Sequence, residues 1–220
     1  TRGVTKVLQP VGNNAEETDS NGLTSFDSDG FTVGSDSSYN ASSSKIIAYG
    51  WRANGGTTSS NTDGSITTTI QTSDSGGFSI IKYTGTGSNA TIGHGLSKAP
   101  DFMIFKCTTT TDNWIVYHRE FGAGNRAQLN NAGIGWGSSS TSFQSTDPDN
   151  SVITIGTSSG TNSSSGTMIC YAWASIEGYS KFSSYSGTGS TDGAFCFTSF
   201  LPKMTWFKRN GSGDWIVNTY

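Results

Sequence analysis

The chain repeats itself. Tyr83-Thr84-Gly85-Thr86-Gly87-Ser88 returns as Tyr185-Ser186-Gly187-Thr188-Gly189-Ser190, a spacing of 102 residues (83 to 185). Pro100 and Lys106 return at that spacing as Pro202 and Lys208, and Asn113-Trp114-Ile115-Val116 returns as Asp214-Trp215-Ile216-Val217, one residue closer. Just upstream, Gly77-Phe78-Ser79 pairs with Gly178-Tyr179-Ser180. We call this block B. A block A precedes each copy: Ala48-Tyr49-Gly50-Trp51 returns as Cys170-Tyr171-Ala172-Trp173, a spacing of 122 (48 to 170). Before it, Ser25-Phe26 and Phe31-Thr32-Val33-Gly34 resemble Ser142-Phe143 and Ile153-Thr154-Ile155-Gly156. The order is A-B-A-B. Such self-similarity restricts the fold to one module built twice.

Dividing the chain where the pattern restarts gives a first repeat over 1–118 and a second over 119–220. The first carries a Gly/Ser/Thr-rich insertion near 54–75. Thr1-Arg2-Gly3 reads as the continuation that His118-Arg119-Glu120 begins, so the expectation is a pair from a longer array.

Period-2 alternation marks short strands at Ser44 to Trp51, Phe78 to Tyr83, Asp101 to Lys106, Trp114 to His118, Val152 to Ile155 and Thr167 to Trp173. Gly, Asn, Asp and Pro clusters separate them. Aromatics at 12% with a net charge of only −3 do not fit a disordered chain. The expected fold is all-β: two tandem antiparallel β-sandwich modules of jelly-roll or lectin-like type. The low charge argues against nucleic acid, and no stretch is long and apolar enough to insert in a membrane. Cys107, Cys170 and Cys196 have no metal-ligand spacing and read as small buried apolar residues that stay reduced, with one disulfide as the minority alternative.

Three segments carry a resemblance: Gly85 to Leu96, then Ala99-Pro100-Asp101-Phe102-Met103-Ile104, then Asp112 to His118. With Leu23-Thr24-Ser25-Phe26 and Ala48 to Gly56 they resemble a repeat in virion proteins of tailed phages, marine ones especially. The resemblance implies a tail-fibre-like or exposed structural protein that assembles in the host cytoplasm and works on the particle. Its implied partners are other virion proteins and further copies of itself, as a trimer. It brings no catalytic residues. Thr198-Ser199-Phe200-Leu201 departs from His94-Gly95-Leu96, so nothing hung on His94 is shared by both copies.

Chemistry-bearing motifs are few. Acidic residues are sparse and sit mostly in turns, and adjacent Glu16 and Glu17 would point to opposite faces of a strand. His94 and His118 are the only histidines, and no nucleophile elbow accompanies them. Asp27-Ser28-Asp29-Gly30 and Asp147-Pro148-Asp149-Asn150 offer oxygen ligands for Ca²⁺, against the simpler reading as Asx turns. Trp51/Trp173 and Trp114/Trp215 read as paired core positions, and Trp206, where the other copy has Ile104, reads as packing. Trp136, in Gly133-Ile134-Gly135-Trp136-Gly137-Ser138 and without a repeat partner, is the candidate glycan contact, with a loop Trp folded back as a lid on the core as the alternative. The functional expectation is a non-enzymatic virion segment for spacing and assembly, with host-surface glycan binding as a secondary task. A lectin or adhesin domain is the alternative, and a polysaccharide-degrading tailspike stands third.

Overall fold

The computed structural model describes residues 2–220. Its strands are β1 (Lys6–Val7), β2 (Glu17–Thr18), β3 (Leu23–Phe26), β4 (Phe31–Val33), β5 (Ser59–Asn61), β6 (Thr68–Ser73), β7 (Phe78–Thr84) and β8 (Ala90–Gly93). They continue as β9 (Phe102–Cys107), β10 (Ile115–His118), β11 (Asn125–Gln128), β12 (Gly137–Ser138), β13 (Val152–Ile155), β14 (Thr167–Trp173), β15 (Met204–Phe207) and β16 (Ile216–Thr219). Among the described residues helix is limited to single turns, including α1 (Ser37–Asn40), α2 (Ser140–Phe143) and α3 (Ser159–Asn162). The protein is mostly β, as its alternating pattern dictates.

An antiparallel sheet of eight strands, ordered β12-β11-β10-β9-β14-β7-β6-β5, forms the centre. β9 is buried at every position, which a central strand covered on both faces requires. On one face Ile81, Met103, Phe105 and Tyr117 pack against Ile92 of β8, Ile153 and Ile155 of β13, and Phe143 of α2. β8 and β13 pair antiparallel and cover that face as a small second layer. The other face carries Phe78, Phe102, Ile104, Trp114 and Trp173, and is covered by Leu8, Trp136, Phe182 and Trp215 from distant parts of the chain. Each such side chain, fully buried, contributes about 1.5–3 kcal/mol.

The sheet crosses the boundary expected at 118/119. β10, ending at His118, pairs with β11. β14, from the second block A, lies between β7 and β9, both from the first block B. The unit that closes a core is therefore B followed by A, and the first A and the second B flank it. The insertion is also part of the sheet: β5 and β6 add to the free side of β7, with Thr68 and Ile70 buried.

Two local expectations are corrected. Ser44 to Trp51 forms no strand, and Ile47 there is 70% exposed, because no partner strand lies beside it. Cys196 is exposed, unlike buried Cys107 and Cys170, because its segment pairs with nothing; all three are free thiols.

The repeated Gly-Thr-Gly-Ser turn shows why its residues are needed. A Cβ on Gly85 would lie 2.2 Å from the carbonyl oxygen of Ser163, and Gly87 has φ of +70°. Asn162, fully buried on α3, accepts from the Thr86 N–H at 2.7 Å and donates to the Ser88 carbonyl at 2.6 Å and the Gly156 carbonyl at 2.9 Å. The turn is thus bolted to block A by one side chain.

Candidate assembly interface

β14 is the seam between the halves. Met168, Cys170 and Ala172 point into the core shared with β8 and β13, while Tyr171 and Trp173 reach the opposite face. Its register runs Met168 against Cys107 through Trp173 against Phe102 on one side, and Thr167 against Thr84 through Trp173 against Phe78 on the other. Seven residues of β-rich sequence thereby join segments between 61 (107 to 168) and 95 (78 to 173) positions away.

A second kind of contact runs from the segment preceding each A to the B that follows. The Trp114 indole N–H donates to the Gln9 carbonyl at 3.3 Å, and Trp215 donates to the Gln128 carbonyl at 3.3 Å. Asp112 N–H donates to the Asn13 carbonyl, and Gly213 N–H to the Ala132 carbonyl. Lys106, fully buried, places its ammonium 3.2 Å from the Asn13 carbonyl and 2.9 Å from those of Cys107 and Asp112. Three carbonyls satisfy its three protons. Burial nevertheless lowers its pKa, with Cys107 and Asp112 opposing the shift. Lys208 repeats the arrangement with Ala132 and Gly213.

These matched bonds fix equivalences that sequence comparison misses. Glu16 N–H donates to the Thr108 carbonyl as Trp136 N–H does to that of Asn210, so Trp136 has a repeat partner and it is Glu16. Trp136 is half-buried, stacked on Phe121 with centroids 4.4 Å apart and planes at 8°, and edge-on to His118 at 6.1 Å. Its indole N–H is buried without a partner among the described residues.

The aspartates serve turns. Asp27 N–H donates to the Gly30 carbonyl and Asp149 N–H to that of Val152, which makes Asp27 and Asp149 counterparts. Asp149 Oδ1 accepts from the N–H groups of Ser151 and Val152, bonds that hold its carboxyl below the usual range. Asp27 accepts from the Thr32 hydroxyl at 2.9 Å, and Asp29 is exposed beside it. Asp147 instead accepts from the Tyr117 hydroxyl at 3.1 Å and Ala123 N–H at 2.7 Å. No cluster of three metal-ligating side chains occurs among the described residues. His94 is buried in its turn, accepting from Leu96 N–H and meeting the Asp149 carbonyl at 3.1 Å.

An open cleft of about 480 Å³ lies where the first B, the second A and the second B converge. Lys98, Arg119, Glu120 and Lys181 line it, with Asp101 bound to Arg119 at 3.0 Å and to Ser175 N–H at 2.7 Å. The expected core positions split: Trp114 and Trp173 are buried, Trp215 is half-buried, and Trp51 and Trp206 are 40% and 38% exposed.

No curated protein and no solved structure matches the chain. A family model described as a domain of unknown function, DUF7483, matches residues 1–219, and the chain belongs to that family.

Proposed function

We propose that the protein is a non-enzymatic structural segment of a virion, in a tail fibre or an exposed decoration, whose work is spacing and assembly. The observation that supports this most is the seam: β14 of one repeat is a central strand in the sheet of the other. Repeats joined through a shared sheet, rather than by a linker, hold a fixed separation and orientation. Each module is a β-sandwich in which a B block is closed by an A block. The surface is rich in Gly, Ser, Thr and Asn with little charge, so its contacts are insensitive to salt. Other virion proteins are the partners, and glycan binding is secondary.

Immunogold microscopy of particles encoding this sequence tests the assignment. Label on a fibre or on the outer shell supports it. Unlabelled particles, with the protein present in the infected-cell lysate, contradict it.

A further inference from the structure

The halves flanking the central sheet are where apolar surface is left open. Of the seventeen large hydrophobic residues most exposed, six lie between Phe26 and Trp51 and nine between Tyr179 and Tyr220. Exposed apolar surface on this scale marks a contact that has not been made. Its two parts are the first A and the second B, which are the repeat counterparts of the A and B that close the central sheet.

Each already holds its native local shape. α1 and α3 coincide at the 122-residue spacing (37 to 159), and Ser43 and Ser165, also 122 apart, both have positive φ, 62° and 58°. The Asn40 side chain donates to the Gly34 carbonyl at 2.9 Å just as Asn162 donates to that of Gly156 at 2.9 Å. β15 and β16 pair with Phe207 opposite Ile216 and Met204 opposite Thr219, the register in which Phe105 faces Ile115 and Phe102 faces His118. β1 and β2 reproduce β11 and β12.

The difference lies in what each pairs with. β11 pairs with β10 and its Gln128 also caps Trp215. Gln9, the counterpart, caps Trp114, but among the described residues β1 pairs only with β2. β15 and β16 form a sheet of two with both outer edges free.

We propose that the chain closes on itself: Lys45–Trp51 adds to the free edge of β15, and β1 to the free edge of β16. The result is a second sheet, a mate of the first, built entirely from one chain. The repeat sets the register, with Gly50 opposite Thr205, Trp51 opposite Met204, and Val217 opposite Leu8. β4 then pairs with Ala194–Phe197 as β13 pairs with β8, covering Phe31, Phe195 and Phe197. Asn40 meets the Thr188 turn as Asn162 meets that of Thr86. The two parts are already neighbours in the same chain: Trp51 contacts Phe78 and Trp173, Trp206 contacts Phe102, and Trp51 and Tyr179 line one small cleft. Within one chain the effective concentration favours this closure over exchange with a second copy. The closure stands independently of where the protein works.

The test uses the full chain with Cys196→Ser and the pair Gly50→Cys/Thr205→Cys. Directly opposed antiparallel residues lie within the Cα separation a disulfide bridges. The control pair is Gly50→Cys/Ser212→Cys, on the hairpin loop. Mild oxidation is expected to give an intrachain disulfide in the monomer, read by peptide mapping, at a rate unchanged by tenfold dilution and well above the control. Only interchain dimers would show that a second copy completes the sheet, and oxidation no faster than the control would show that the edge stays open. Either result overturns the closure while leaving the structural role untouched.

Discussion

Trp51 and Trp173 stand at the same place in the two halves, and their rings meet edge to face with centroids 5.9 Å apart and planes at 71°. Under the proposed closure this is the contact a two-fold relation produces, each residue meeting its own counterpart. Trp173 is already seated between Phe78 and Phe102 on the central sheet. Trp51 touches the same aromatic cluster from outside it, at the end of a segment whose twin is a central strand.

Asn162, fully buried on α3, makes two side-chain bonds to the Gly-Thr-Gly-Ser turn and a third to the Gly156 carbonyl. Asn162→Ala leaves the Thr86 N–H and two carbonyls without that partner, and is expected to cost about 2–4 kcal/mol. Closure makes Asn40→Ala cost a comparable amount, whereas an exposed Asn40 would cost less than about 0.5 kcal/mol. Urea unfolding of both variants measures the difference.

Lys106→Met keeps the length of the side chain and removes the ammonium that three carbonyls share. The loss is expected to be about 3 kcal/mol, because charged hydrogen bonds in a buried site outweigh the desolvation relieved. Lys106→Arg is expected to be no better, since a planar guanidinium does not fit three converging carbonyls. A melting temperature within a degree or two of the parent for Lys106→Met would contradict this role.

Stability is expected to fall on mild acidification. Burial lowers the pKa of His94, opposed by the Asp149 carbonyl and nearby carboxylates, and burial lowers that of His118. The unfolded chain therefore takes up protons first, near pH 6.5, while the folded chain keeps both rings neutral. The histidine contribution is fully present above about pH 6.5 and is lost as pH falls toward the folded pKa values. Melting curves at pH 7.5 and 5.5 are expected to show a lower midpoint in acid, with His94→Gln reducing the difference. A midpoint that rises in acid would refute this reading.

Asp149 accepts two backbone bonds in its turn. Asp149→Asn keeps an acceptor and is expected to change stability by less than about 0.5 kcal/mol, while Asp149→Ala costs about 1 kcal/mol. A calcium site there would reverse the pattern, with Asn as damaging as Ala and the parent stabilised by added calcium. Thermal scans with millimolar calcium and with chelator distinguish the two.

Much of the central sheet is legible in the sequence, since β7, β9, β10 and β14 fall on the alternating runs, as does β13 of the covering layer. The phase of the folding unit is not. A repeat fixes a period, and A-B and B-A share it; which A closes which B depends on pairings between 61 (107 to 168) and 95 (78 to 173) residues apart. The same blindness hides the partner of Trp136, because Glu16 shares its backbone bond and not its chemistry. The structure also aligns Gly22 with Ser142, through their bonds to Gly34 and Gly156, which places Leu23 rather than Phe26 opposite Phe143. Lys106 was visible only as a repeated lysine; nothing in its neighbours signals that it is buried.

Hydrogen exchange of Lys45–Trp51 against its twin Thr167–Trp173 tests the central claim most directly. Interlocked halves that close into two equivalent sheets predict that amides in both segments are protected to a similar degree, within about tenfold. Rapid exchange of Ile46 through Trp51 beside slow exchange of Met168 through Trp173 would show that only one sheet forms.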